Sequence, residues 1–224
     1  MLNWKDRFRA AGIHLVLSLL VAAIAGALVF LLWYPFPYGQ TSGGRDLFFI
    51  VIAVDVIIGP LITFAIFNRA KPWTELRRDL GIVGLLQLVA LGYGLWTVCV
   101  ARPVHLVFEY NRFRVVHAVD VPEELMDKVP AGIEALPMSG PTMLSLRPFR
   151  SAQERTDATV AALQGISLAS RPDLWQTYEA GREEVLRSAQ PVSQLRNRFP
   201  GRVADIDKAI GTTGLRADSV LYLP

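Results

Sequence analysis

Asp55 is the residue of this chain best placed to do chemistry, because it stands inside a run, Leu47 to Phe67, that is otherwise apolar. A carboxylate there costs at least ~2.5 kcal/mol to place in hydrocarbon, so it faces protein or a wet cavity instead of lipid. Gly59 and Thr63 follow at intervals of four and share its helical face. Pro60 has no N–H to offer the carbonyl of Val56, which predicts a bend and a free acceptor beside Asp55. Two readings stand open: a protonated, hydrogen-bonded residue that holds a helix bundle together, or a docking site for a neighbouring helix.

Other chemistry is thinly represented. There is no phosphate-binding glycine loop, no HExxH, no GxSxG and no cysteine cluster. Cys99 is the single cysteine and reads as a small packing residue, so an intramolecular disulfide is excluded. Asp205-Ile206-Asp207 resembles the DxD of some nucleotide-sugar transferases but falls within a predicted helix without glycine or aromatic context. Arg196, Arg198 and Arg202 read as a solvated surface. His105 and His117 fall on opposite faces of a predicted hairpin and are not placed to share an ion. No catalytic, metal-binding or cofactor-binding residue is assigned, and the chain reads as a non-enzyme.

The elements that must position Asp55 are membrane spans. The chain has 224 residues, 52% of them hydrophobic, with a mean hydropathy of +0.33, and the excess lies in residues 1–101. Leu15 to Tyr34, Leu47 to Phe67 and Leu80 to Ala101 are long enough at 1.5 Å per residue to cross ~30 Å of hydrocarbon. Before them, residues 1–14 set Trp4 and Phe8 among Lys5, Arg7 and Arg9, as in an interfacial lead-in. Ser18, Ala22 and Gly26 form a stripe of small residues that lets another helix approach. Trp33 and Tyr34 fit an aromatic belt, with Pro35 and Pro37 ending that helix.

Counting depth from the far ends of the second and third spans places Asp55 and Tyr93 both ~12 Å deep and Gln87 ~20 Å deep. Tyr93 is therefore the expected hydrogen-bond partner, with Gln87 reachable only if the helices are offset. Gly94 again permits close packing.

Net charge is +3 and sits entirely in residues 1–101. Positive residues precede the first span and recur between the second and third as Arg69, Lys71, Arg77 and Arg78, so both stretches are expected on the cytoplasmic side. The carboxy-terminal half, from Arg102 and Pro103 onward, is then expected in the periplasm of a bacterial inner-membrane protein. Its balanced charge gives no support for nucleic-acid binding.

This half, residues 102–224, is expected to be a small α+β domain opening on a β-hairpin. Period-two alternation runs through Val104–Tyr110 and Phe113–Val119. A turn at Asn111-Arg112 pairs Tyr110 with Phe113, Phe108 with Val115 and Glu109 with Arg114. Residues 120–150 read as Pro-rich and irregular, with a short helix at Pro122–Asp127. Ser151 and Glu154 form a capping-box signature for a helix over Ala152–Leu163. Further helices are expected over Tyr178–Ser188, with Glu183 and Arg187 paired, over Val192–Arg198 and over Arg202–Ile210. The terminal SVLYLP reads as a strand, with the hairpin as its expected neighbour.

Taken together, WYPFPY, DVIIGPLITFAIF, KPWTELRRD, LLQLVALGYGLWTVCVARPV and FEYNRFRVVHAVD resemble, in order and spacing, the TfpX/TfpZ-type accessory proteins of type IV pilins. The resemblance implies an inner-membrane protein that binds its cognate major pilin and assists its assembly, within reach of the pilus assembly machinery. The family pattern continues past Pro224 with a strand-rich segment, which implies a shortened member. The other classes in view are a membrane-bound pilin-modifying enzyme and a membrane-tethered periplasmic sensor.

Overall fold

The computed structural model describes residues 4–223, so Met1–Asn3 of the expected lead-in and Pro224 of the expected terminal strand lie outside the described residues. The chain divides into two compact units. The first comprises residues 1–104 with 117–119 and 136–140, and the second comprises residues 105–116, 120–135 and 141–224.

In the first unit, α1 (Trp4–Leu28) continues through a wider π turn, Val29–Trp33, as one helix. A short α2 (Tyr38–Thr41) leads into α3 (Gly44–Ala53), a second π turn (Val54–Ile58) and α4 (Gly59–Ile66). The third long helix is α5 (Trp73–Val100). Among the described residues three helices, Trp4–Trp33, Gly44–Ile66 and Trp73–Val100, are long and apolar enough to cross a membrane. They begin earlier than their apolar runs because charged first turns, such as Thr74–Arg78, are helical too.

The lead-in is thus part of α1, where Phe8 lies 4.9 Å from the ring of Phe64. One end of the bundle is packed solid around Val29, Tyr34, Phe48 and Val98. A Cβ on Gly44 would overlap the Tyr34 ring, so that glycine lets the second span pass over it.

The second unit is α+β. Its sheet has the order β2-β1-β3-β4, built from β1 (Pro103–Glu109), β2 (Arg112–His117), β3 (Thr142–Leu146) and β4 (Trp175–Thr177). Strand β3 runs parallel to β1, with His105 opposite Thr142, and antiparallel to β4. Being central, β1 is buried on both faces over most of its length. Against the sheet pack α6 (Ala152–Leu163) and α7 (Tyr178–Ser188), and α8 (Val192–Arg198) and α9 (Val203–Gly211) follow in the chain. The apolar core beneath α6 joins Ala158, Leu168 and Leu174. Gly181 brings α7 close to β3, since a Cβ there would overlap the Ser145 hydroxyl.

Ser151 caps α6 as expected, its Oγ accepting from the Glu154 amide at 3.1 Å. The box does not close on itself, however. Glu154 instead takes the Arg147 guanidinium at 2.6 Å and the Arg150 amide at 2.5 Å, and these donors hold its carboxyl down at about 2.

Three expectations are corrected here. The hairpin turn is Tyr110-Asn111, one residue earlier, with Tyr110 at φ 59° and Asn111 N–H donating to Glu109 at 2.8 Å. Phe108 accordingly packs on Phe113, at 5.6 Å, instead of facing Val115. The terminal strand β6 (Leu221–Tyr222) pairs with β5 (Gln190–Pro191) in a separate two-stranded sheet, not with the hairpin. Arg187 donates to the backbone carbonyl of Glu183 at 3.4 Å and does not pair with its carboxylate.

Candidate functional site

The second and third spans are set in register by two glycines. A Cβ on Gly94 would overlap Val51, and one on Gly59 would overlap the Gln87 amide, so these residues lie at common levels. That register decides what meets Asp55. Gln87 Nε2 donates to the backbone carbonyl of Asp55 at 3.2 Å. The expected break in the ladder before Pro60 therefore appears as a π turn whose exposed acceptor, Asp55 instead of Val56, is met from the third span. Single π turns of this kind recur at functional sites.

Tyr93 is not the partner of Asp55. It is 69% exposed and its ring lies 5.7 Å from that of Trp96. Its neighbour Gly94 faces Val51, so Tyr93, about 100° further round the helix, turns away. Equal depth at the far ends was the wrong reference, because the glycine contacts set the offset.

The first span supplies a residue that the sequence reading missed. His14 Nδ1 lies 2.5 Å from the Thr63 hydroxyl. The signal was present: His14 stands four before Ser18 and extends the Ser18, Ala22, Gly26 stripe by one more interval of four. Gly26 itself packs under Phe48, at 3.3 Å from where its Cβ would lie.

His14, Ser18 and Ala22 from the first span, Asp55 and Thr63 from the second, and Gln87 from the third line one cavity of about 550 Å³. Its walls are otherwise apolar, and it continues past Gly84 to Ala10, Phe67 and Leu80. Asp55 is only 6% exposed, and its Oδ1 has no hydrogen-bond partner. Of the expected site residues the structure thus gathers Asp55, Thr63, Gln87, Ser18 and Ala22 around one space. Gly59 and Pro60 are buried beside it in α4, while Gly26, Gly94 and Tyr93 stand apart from it.

The residues expected at the membrane interface are also redistributed. Trp33 and Tyr34 are no exposed belt: both are buried, and the Tyr34 hydroxyl donates to the Val98 carbonyl at 3.1 Å. Trp33 closes the π turn and Tyr34 follows it, both within the packed end of the bundle. Pro35 follows the end of the helix, as expected. Lys71 pairs with Asp79 at 2.6 Å, Arg78 approaches the same carboxylate at 3.7 Å, and Arg77 is exposed.

Arg102, at the end of the third span, faces inward. It is buried and donates to the backbone carbonyls of Cys99 (2.8 Å), Leu136 (3.0 Å) and Pro137 (3.1 Å), fastening the 136–140 stretch to the end of α5. Pro103, also buried, begins β1.

In the second unit the charged clusters are spent on structure. Asp207 pairs with Arg196 at 2.5 Å and Asp205 faces Arg202 at 3.8 Å. His105 is fully buried. A carbonyl can only accept, so Nε2 donates to Ala135 at 2.9 Å and Nδ1 accepts from the Thr142 hydroxyl at 2.6 Å. Burial pushes its pKa down to about 4.

Comparison with known proteins adds what geometry alone does not. Over 228 aligned positions the chain is 34% identical to the fimbrial assembly protein of serogroup I of Dichelobacter nodosus, covering 98% of this chain and 88% of that relative. The chain belongs to the fimbrial assembly protein family. A second relative in this family, the serogroup E1 protein of the same organism, is 33% identical over the same shares of both chains. The protein of serogroups C1 and C2 is 40% identical over 130 residues, 56% of this chain and 97% of that relative. The family described as Fimbrial assembly protein FimB matches residues 2–43, which hold the first span with His14 and its small-residue stripe. No solved structure matches the chain.

Proposed function

We propose that this member of the fimbrial assembly family is an inner-membrane accessory protein that binds the cognate type IV major pilin and assists or modulates its assembly into pili. The observation that carries the reading is the match along nearly the whole chain to proteins named for fimbrial assembly, in a chain whose first unit is a three-helix apolar bundle. A pilin awaiting assembly presents a hydrophobic helix and a globular head. A bundle that leaves a cavity between its helices, followed by an α+β unit, offers a surface suited to each.

Orientation follows the charge rule, with the amino terminus and the Asn68–Asp79 connection in the cytoplasm and the second unit in the periplasm. The test is removal and restoration of the gene in a piliated bacterium. Loss of the protein lowers or alters surface piliation counted by electron microscopy, while the intact mass of the pilin stays the same. A pilin mass that changes with the protein present would instead favour a modifying enzyme, and unchanged piliation would defeat the proposal.

A further inference from the structure

The bundle is packed solid at the Tyr34 end and open at the other. Between Ile52 and Phe67 the cavity follows the second span for about 20 Å at 1.5 Å per residue, and its walls are apolar apart from the polar group around Asp55. Space of that length suits an elongated occupant. Ala10, Ser18, Ala22 and Gly84 are small residues on its walls, and a Cβ built on Gly84 would find nothing within 4 Å. Small residues let a helix backbone come close, a provision that an acyl chain does not need.

The second observation is polar. Around the buried Asp55, the Gln87 amide is directed at the Asp55 main-chain carbonyl and the Thr63 hydroxyl is engaged with His14. Oδ1 is left without a donor from its own chain. A buried acceptor in that condition is costly unless something else supplies the bond.

We propose that this cavity receives the side chains along one face of a membrane-spanning helix of the partner, and that the Asp55 carboxylate accepts a hydrogen bond from a donor side chain on that face. The proposal rests on the pilin-binding reading and adds to it where the helix sits and what it must carry. The partner helix is apolar on the face it inserts, except for one hydroxyl, amide or amine donor opposite Asp55.

The experiment uses the full chain, affinity-tagged and expressed beside its pilin in piliated cells. A photo-crosslinking residue replaces either Leu88, on the cavity wall, or Leu86, exposed on another face of α5. Pilin adducts are expected from Leu88 and not from Leu86. Asp55→Leu lowers the Leu88 adduct roughly threefold to tenfold, in line with single interhelical hydrogen bonds in membranes, whereas Asp55→Asn, which keeps an acceptor, retains it. Gly84→Ile fills the wall without touching Asp55 and abolishes the adduct, so the test survives if Asp55→Leu fails to insert.

Pilin that co-purifies yet crosslinks equally from both positions, adducts to lipid alone, or indifference to Gly84→Ile would each overturn the seating and leave pilin binding standing. Absence of pilin from the purified protein would overturn the pilin-binding reading, and the seating with it.

Discussion

Lowering the pH from 7.5 to 5 should weaken the second unit through a single buried imidazole. His105 is sealed between Ala135 and Thr142, with the Trp175 ring edge-on at 4.5 Å, and is held neutral down to about pH 4. An imidazole in the unfolded chain protonates near its ordinary 6.5. Between those values the unfolded state binds the extra proton, so stability falls as the pH drops through that window, is complete above it, and loses nothing more below it. At 1.36 kcal/mol per pKa unit the loss by pH 5 is about 2 kcal/mol. Denaturant unfolding of the full chain in detergent, repeated across the pH range, measures the loss, and histidine-labelled NMR reads the titration directly. In His105→Gln this component of the pH dependence disappears. A His105 resonance titrating at 6 or above, or an unchanged pH profile in His105→Gln, would refute the reasoning.

Arg102→Ala removes three charge-assisted bonds to carbonyls at about 1.5–3 kcal/mol each before relaxation; it should expose the 136–140 stretch to limited proteolysis, with new cleavage beside Met138. Tyr34→Phe deletes only the hydroxyl bond to Val98 and should cost about 0.5–1.5 kcal/mol, whereas Gly44→Leu drives a side chain into the Tyr34 ring and should lower the thermal midpoint in detergent much further. Ser151→Ala removes the cap of α6 at about 0.5–2 kcal/mol, measured by the same unfolding assay. A reporter fused after residue 224 should be active only outside the cytoplasm; activity confined to the cytosol would reverse the proposed orientation.

The three apolar helices were legible because length and composition alone identify such segments, and α6, α7 and α8 were legible because caps and 3.6-residue periodicity are local signals. What escaped depends on contacts distant in sequence. Strand β3 is five residues between prolines, Pro141 and Pro148, and reads as loop until β1 is known to lie beside it. The hairpin slipped by one residue because its turn holds a tyrosine at positive φ where the sequence offers an asparagine next door. Depth counted from span ends favours Tyr93 over Gln87, while the true offset is fixed by Gly59 and Gly94 against the opposite helix. The aromatic pair Trp33-Tyr34 carries a belt-like composition, and only its packing against Val29, Phe48 and Val98 shows that both face inward. His14 ends the charged lead-in, and its spacing from Ser18 is the one local sign that it shares the face of the stripe.

The central claim is that this fimbrial assembly family member holds the major pilin through its membrane bundle. Purification of the tagged full chain in mild detergent from piliated cells, with the co-isolated pilin quantified by mass spectrometry, tests it most directly. The account predicts unmodified major pilin recovered with the wild-type protein and markedly less with Gly84→Ile. Recovery of the wild-type protein without pilin, from cells in which pilin is abundant in the same membrane, would contradict it.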